Sequence, residues 1–219
     1  MISANNYILN KKEKSDFIVS KLGSLYPNPP IPLNHTDSFT LLVAVLLSAR
    51  CTDKRVNQVT PELFALANNP YDMMRCKVSE IKNIIKPCGL SPFKSKAIRD
   101  LSIIICAKHS GNVPNNFDEL EELPGVGHKT ASVVMTQAFN IPTFPVDTHI
   151  HRLCYRWGLS NGKNVTNTEK DCKKVFPKYL WGKLHLQMIF FGREFCQARV
   201  HNPRSCPICS KIGRKSLFI

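Results

Sequence analysis

Apolar residues recur three and four positions apart through most of this chain, and the alternating runs that build half-buried strands are nearly absent. That spacing suits helices and not sheets. The most constraining stretch is Phe39 to Ala49, apolar on nearly every side, which belongs at the centre of a helical domain with neighbours all round it. Its uninterrupted run, Leu41 to Leu47, is the longest in the chain, and falls well short of the roughly 18 residues that cross a bilayer. The sequence therefore predicts an all-α protein with no membrane span.

The remaining periodic stretches place helices at Asp16 to Leu25, Asp53 to Ala67, Ser79 to Pro87, Lys94 to Ser110, Phe117 to Glu122 and Thr130 to Phe139. Ile150, Leu153, Cys154 and Trp157 mark the face of another, and Leu180 to Phe191 supplies a last apolar one. Two proline-rich breaks divide this series. Pro27, Pro29, Pro30 and Pro32 force an extended linker, and Pro142 with Pro145 interrupts the chain again.

Thirty Lys and Arg stand against sixteen Asp and Glu, a formal net charge of +14 over 219 residues. Charge of one sign repels itself across a compact surface, so an excess of this size points to a polyanionic partner, nucleic acid before membrane. Met1 to Asn10 lacks a basic start ahead of an apolar stretch, and the expected location is the cytoplasm. Nine cysteines are an odd number for a disulfide framework. Most sit singly in apolar stretches, as Cys106 does after Ile103, Ile104 and Ile105, and read as reduced core residues. Only Cys196, Cys206 and Cys209 cluster.

Two segments carry chemistry. Leu123-Pro124-Gly125-Val126-Gly127-His128-Lys129-Thr130-Ala131 is a glycine-bearing turn that runs into helix formers. Backbone amides at such a helix start attract one phosphate without reading base sequence. Lys129 falls in the first helical turn, where the dipole and the surrounding positive charge favour its neutral, nucleophilic form; the alternative is a solvated lysine touching phosphate. In Pro145-Val146-Asp147-Thr148-His149-Ile150-His151-Arg152, Asp147 stands where a helix begins. It is either an N-cap, or an anion that takes a proton from a lysine or stabilises positive charge growing on a sugar.

The segment Leu123 to Ala131, with Lys129 eighteen residues upstream of the Asp in Val146-Asp147-Thr148-His149, resembles the helix-hairpin-helix and catalytic aspartate of the endonuclease III family. The stretch Leu46-Leu47-Ser48-Ala49-Arg50-Cys51-Thr52-Asp53 and the cysteine-bearing tail opened by Phe191-Gly192-Arg193 resemble the same family, in the same order, over roughly residues 20 to 210. The resemblance implies a two-domain helix-hairpin-helix DNA glycosylase fold. A six-helix barrel, residues 31–141, would carry Lys129, and a second helical domain, residues 1–30 plus 142–219, would carry Asp147 and the Cys loop. It implies a monomeric, nucleoid-associated repair enzyme acting on duplex DNA that contains oxidised pyrimidines or abasic sites. Lys129 would be the nucleophile and Asp147 the supporting carboxylate, with Arg50, Gly125, Gly127, His128, Thr130 and His149 as DNA contacts.

Three departures accompany the match. Arg50 stands where the family usually has a glutamine that fills the space left by a flipped nucleotide, and arginine donates hydrogen bonds but accepts none. His128 replaces a common arginine. The family's iron–sulfur loop has four cysteines, and here Cys196, Cys206 and Cys209 remain with no fourth before Ile219. A [4Fe–4S] cluster normally takes four thiolates. Three outcomes follow: a cluster with a substitute ligand such as His201, a different metal such as zinc, or a metal-free loop.

Overall fold

The computed structural model describes residues 9 to 218, and no strand occurs among them. The reading of Met1 to Asn10 therefore falls mostly outside the described residues. The α-helices are, in order, α1 (Lys11–Leu25), α2 (Ser38–Ser48), α3 (Asp53–Leu66), α4 (Pro70–Met73), α5 (Val78–Ile85), α6 (Ser91–His109), α7 (Phe117–Glu121), α8 (His128–Ala138), α9 (Thr148–Arg156), α10 (Val165–Val175), α11 (Trp181–Glu194) and α12 (Cys209–Ile212). They divide into two compact units. One is Ile31–Thr143; the other joins the N-terminal segment through Pro30 with the chain from Phe144 onward.

In the first of these units every residue of α2 from Phe39 to Leu47 is buried. The helix is surrounded because α3, α6 and α8 all lie against it. Removing one of its large side chains, as in Leu42→Ala, leaves a cavity that costs roughly 2–5 kcal/mol. Asp37 starts the helix by accepting from the Thr40 amide at 2.8 Å, satisfying an amide that the helix itself cannot pair.

The second unit is built on α1, α9 and α11, which bury Ile18, Leu22, Ile150, Leu153, Met188 and Phe191 together. Trp157 is fully buried, with its ring edge-on to Phe191 at 5.7 Å between centroids. Gln187 on α11 donates to the Tyr26 carbonyl at 2.8 Å and so ties down the end of α1.

Polar signals move several helix starts ahead of the apolar pattern. Helix α1 begins at Lys11 and not at Asp16, because Asn10 accepts from the amides of Lys12 and Glu13 while Glu13 accepts the Asn10 N–H at 2.7 Å. Helix α6 begins at Ser91, with Pro92 inside the first turn where its missing N–H costs nothing. Helix α10 has no counterpart in the sequence reading, since only Thr168 and Cys172 along it are buried. Cys106 is half-buried and Ile103 is 39% exposed, so this stretch of α6 lines the edge of the core and not its centre.

Candidate active site and metal centre

In the Ile31–Thr143 unit the hairpin is α7, the turn Leu123 to Gly127, and α8. Gly125 has φ +79°, and a Cβ there would lie 3.0 Å from both Ala97 Cβ and Leu46 Cδ1. Backbone conformation and space both demand glycine at this position. Gly127 is different. It caps α8 with φ −100°, and a Cβ would meet nothing within 4 Å. The open side of Gly127 adjoins the first turn of α8, whose leading amides face outward from the helix. His128 and Lys129 are the first two residues of that turn and are exposed, and Thr130 is half-buried behind them. His128 stacks on Phe117 with ring centroids 4.9 Å apart, and its Nδ1 lies 2.8 Å from a Glu121 carboxylate oxygen. The imidazole thereby braces α8 against α7.

The same end of α2 that touches Gly125 through Leu46 also carries Arg50. Arg50 is exposed, in the left-handed region at φ 55°, in the tight link between α2 and α3. Lys94 fixes this link. Its side chain is 1% exposed, and its Nζ donates to the carbonyls of Leu47, Ala49 and Cys88 at 2.9, 2.9 and 3.1 Å. Three carbonyls and the negative end of α2 compensate the buried charge, while burial itself pushes the amine below its ordinary range.

In the other unit Asp147 caps α9, one carboxylate oxygen accepting from the Ile150 amide at 2.8 Å. His149 is half-buried, and its Nδ1 accepts from Arg152 Nη2 at 3.1 Å. Gly192 of α11 lies so close that a Cβ would sit 3.1 Å from the His149 Cβ. Small size at Gly192 therefore permits α9 and α11 to approach at the turn that carries Asp147.

Below that turn, two arginines one helical turn apart reach the cysteine loop. Arg152 donates to the Gly192 carbonyl at 2.9 Å and to the Cys196 carbonyl at 3.0 Å. Arg156 donates to the Gln197 carbonyl at 2.8 Å and to the Cys196 sulfur at 3.2 Å. The donor atoms of Cys196, His201, Cys206 and Cys209 all lie within 4.8 Å of one another, a set able to hold a metal ion. Hydrogen bonds from the Cys196 and Cys209 thiols hold Cys206 far below the usual thiol range. The structure thus brings together the three cysteines marked in the sequence and the substitute ligand named with them, His201. The cluster implied by the resemblance is a different matter. A cubane of irons and sulfides spreads its four terminal ligands to about 6 Å apart and takes four thiolates; this loop offers three thiols and an imidazole, more closely set.

Sequence reasoning missed Lys94, Arg152 and Arg156. A lysine among polar helix residues carries no signal that it is buried. The spacing of Arg152 and Arg156, four apart and off the apolar face of α9, was visible but has the same form as a solvated stripe.

Residues 43–178 match the family model of the HhH-GPD superfamily base excision DNA repair proteins. The chain is 41% identical to endonuclease III of Bacillus subtilis (strain 168) over 204 residues, which covers 93% of each chain. It is 41% identical to endonuclease III of Escherichia coli (strain K12) over 200 residues, 91% of this chain and 94% of that one. Among solved structures, a non-covalent endonuclease III–DNA complex superposes with a TM-score of 0.89 at 37% identity, covering 95% of this chain and 97% of that chain. A trapped endonuclease III–DNA covalent intermediate matches equally, with a TM-score of 0.89. No helix among the described residues is long and apolar enough to cross a membrane. With its all-helical fold and its glycine hairpin leading into Lys129, the chain belongs to the HhH-GPD superfamily of base excision DNA repair enzymes, in the endonuclease III family of DNA glycosylases with abasic-site lyase activity.

Proposed function

We propose that this enzyme removes oxidised pyrimidines from duplex DNA and then cuts the abasic strand by β-elimination through a Schiff base on Lys129. The observation that carries the reading is the place of Lys129, exposed at the second position of α8, directly after a turn whose Gly127 leaves open space for a phosphate. A net charge of +14 supports a polyanionic substrate, and a relative of the same fold has been trapped covalently on DNA. The protein works as a monomer on duplex DNA in the nucleoid.

Extrusion of the damaged nucleotide costs least where the lesion already pairs poorly, and lesion choice begins with that step. Arg50, held on its left-handed turn by Lys94, fills the space the nucleotide leaves. The neutral Lys129 amine then attacks C1′; the C–N bond to the base breaks and the base departs with the electron pair and a proton. The lone pair left on nitrogen then expels O4′, which takes up a proton, and the sugar ring opens to an iminium that keeps its remaining N–H and acidifies C2′. Removal of the C2′ proton sends its electron pair toward the iminium, and the C3′–O bond breaks with the phosphate as leaving group. Water finally hydrolyses the imine and returns the amine. Asp147 supplies the carboxylate that takes a proton from the Lys129 ammonium, or that stabilises positive charge on the sugar as the base leaves.

Borohydride reduces the iminium to a stable amine. Incubation with a thymine-glycol duplex and borohydride should give one covalent protein–DNA adduct, and Lys129→Gln should give none. No adduct from the unmodified protein, or equal trapping by Lys129→Gln, overturns the assignment.

A further inference from the structure

We propose that Cys196, His201, Cys206 and Cys209 hold a single tetrahedral zinc ion, in place of a four-iron cluster. The separations carry the assignment. Cys196 Sγ lies 3.8 Å from Cys209 Sγ and 3.4 Å from His201 Nε2, and the four donors span no more than 4.8 Å. Zinc bonds of about 2.3 Å to sulfur and about 2.0 Å to nitrogen, arranged tetrahedrally, put sulfur pairs about 3.8 Å apart and sulfur–nitrogen pairs about 3.5 Å apart. Both observed separations match one shared ion.

The surroundings are built for a charged centre. Cys196, Cys206 and Cys209 are buried, with exposures of 0%, 2% and 0%. The Cys209 amide points at the Cys206 sulfur from 3.5 Å, so the Cys206-Pro207-Ile208-Cys209 turn already sets two ligands. Zinc binds three thiolates, displacing the thiol protons that remain on the loop, and takes the neutral imidazole through Nε2, with no change of oxidation state, so the centre carries one negative charge. The Arg156 guanidinium, 3.2 Å from the Cys196 sulfur, supplies the opposite charge. Residues 197 to 205 form no helix, and Val200 among them is 80% exposed. Few apolar contacts hold this loop, and the ion closes it onto α9 through Arg152 and Arg156.

The test uses the full chain, produced in cells supplied with both iron and zinc and purified without air. Metal is counted by mass spectrometry, sulfide chemically, and absorbance is recorded on the same sample. One zinc per chain without iron or sulfide supports the proposal, as does a cobalt-substituted protein with intense tetrahedral bands and thiolate charge transfer. His201→Cys should keep one zinc, and His201→Ala should lower zinc affinity by more than about 100-fold against a chromogenic chelator. Four irons with sulfide and a broad band near about 400 nm, a metal-free protein, or unchanged zinc affinity in His201→Ala each overturn it. If His201→Ala does not fold, the cobalt spectrum of the unmodified chain decides, an octahedral spectrum counting against the site. None of these readouts depends on glycosylase activity.

Discussion

Lys94 donates a 2.9 Å hydrogen bond to the carbonyl of Ala49, the residue just before Arg50, from a side chain that is 1% exposed. A surface-type residue has been taken into the core to close the end of α2. Lys94→Met keeps the stem and its packing but strands the carbonyls of Leu47, Ala49 and Cys88. Unpaired buried acceptors cost roughly 1–3 kcal/mol each before relaxation, so the variant should lose about 3 kcal/mol in urea denaturation. It should also weaken binding to lesion DNA, because the turn that presents Arg50 loosens. A change below about 0.5 kcal/mol would mean that water replaces the ammonium without loss.

Asp147 has two roles that one substitution separates. As an N-cap it accepts from the Ile150 amide, and asparagine caps about as well as aspartate. Asp147→Asn should therefore melt within about 0.5 kcal/mol of the unmodified protein. Base release in single turnover should nevertheless fall by about 100-fold or more, since the amide carries no charge and takes up no proton. Asp147→Ala should lose the same activity and a further ~1 kcal/mol of stability. Full activity in Asp147→Asn would reduce the residue to a cap.

Periodicity made the helical frame legible because buried faces leave a pattern: Phe39 to Leu47 reads as a central helix and is buried along its whole length. Helix α10 left no such pattern. It is held by the Asn164 cap and by only two buried positions, and threonine, asparagine and lysine there look like loop. The glycine turn was legible as a turn, but not that Gly125 answers to Leu46 and Ala97 while Gly127 answers to nothing in the protein. His201 was visible as a stand-in ligand only after the missing cysteine was noticed. Its place beside Cys196 depends on the fold of the loop, which local sequence does not encode.

The two glycines of the hairpin should respond differently to alanine. Gly125→Ala forces a side chain into the left-handed region against Ala97 and Leu46 and should cost about 1–3 kcal/mol. Gly127→Ala meets no protein atom, and its cost should stay under about 1 kcal/mol, from the poorer N-cap alone. The added methyl occupies the approach proposed for a phosphate. Thermal melts paired with binding to abasic duplex should thus show Gly125→Ala as the stability variant and Gly127→Ala as the affinity variant. Unchanged affinity in Gly127→Ala would move the phosphate elsewhere.

His149 should make the fold sensitive to mild acid. Burial pushes its imidazole below the ordinary 6.5, with Arg152 and Arg193 acting in the same direction and Asp147 opposing. Arg152 also donates to Nδ1, which keeps that nitrogen without a proton. The unfolded chain therefore binds this proton more tightly than the folded chain, and stability rises with pH across the interval between the two values. Its contribution is complete above about 6.5 and is lost as pH falls through the lower, folded value. Denaturant midpoints taken between about pH 8 and about pH 5 should fall more steeply for the unmodified protein than for His149→Gln. The two curves should meet above about 6.5 once the constant difference from the lost Arg152 contact is subtracted. Parallel curves throughout would place the acid sensitivity of this fold in other groups.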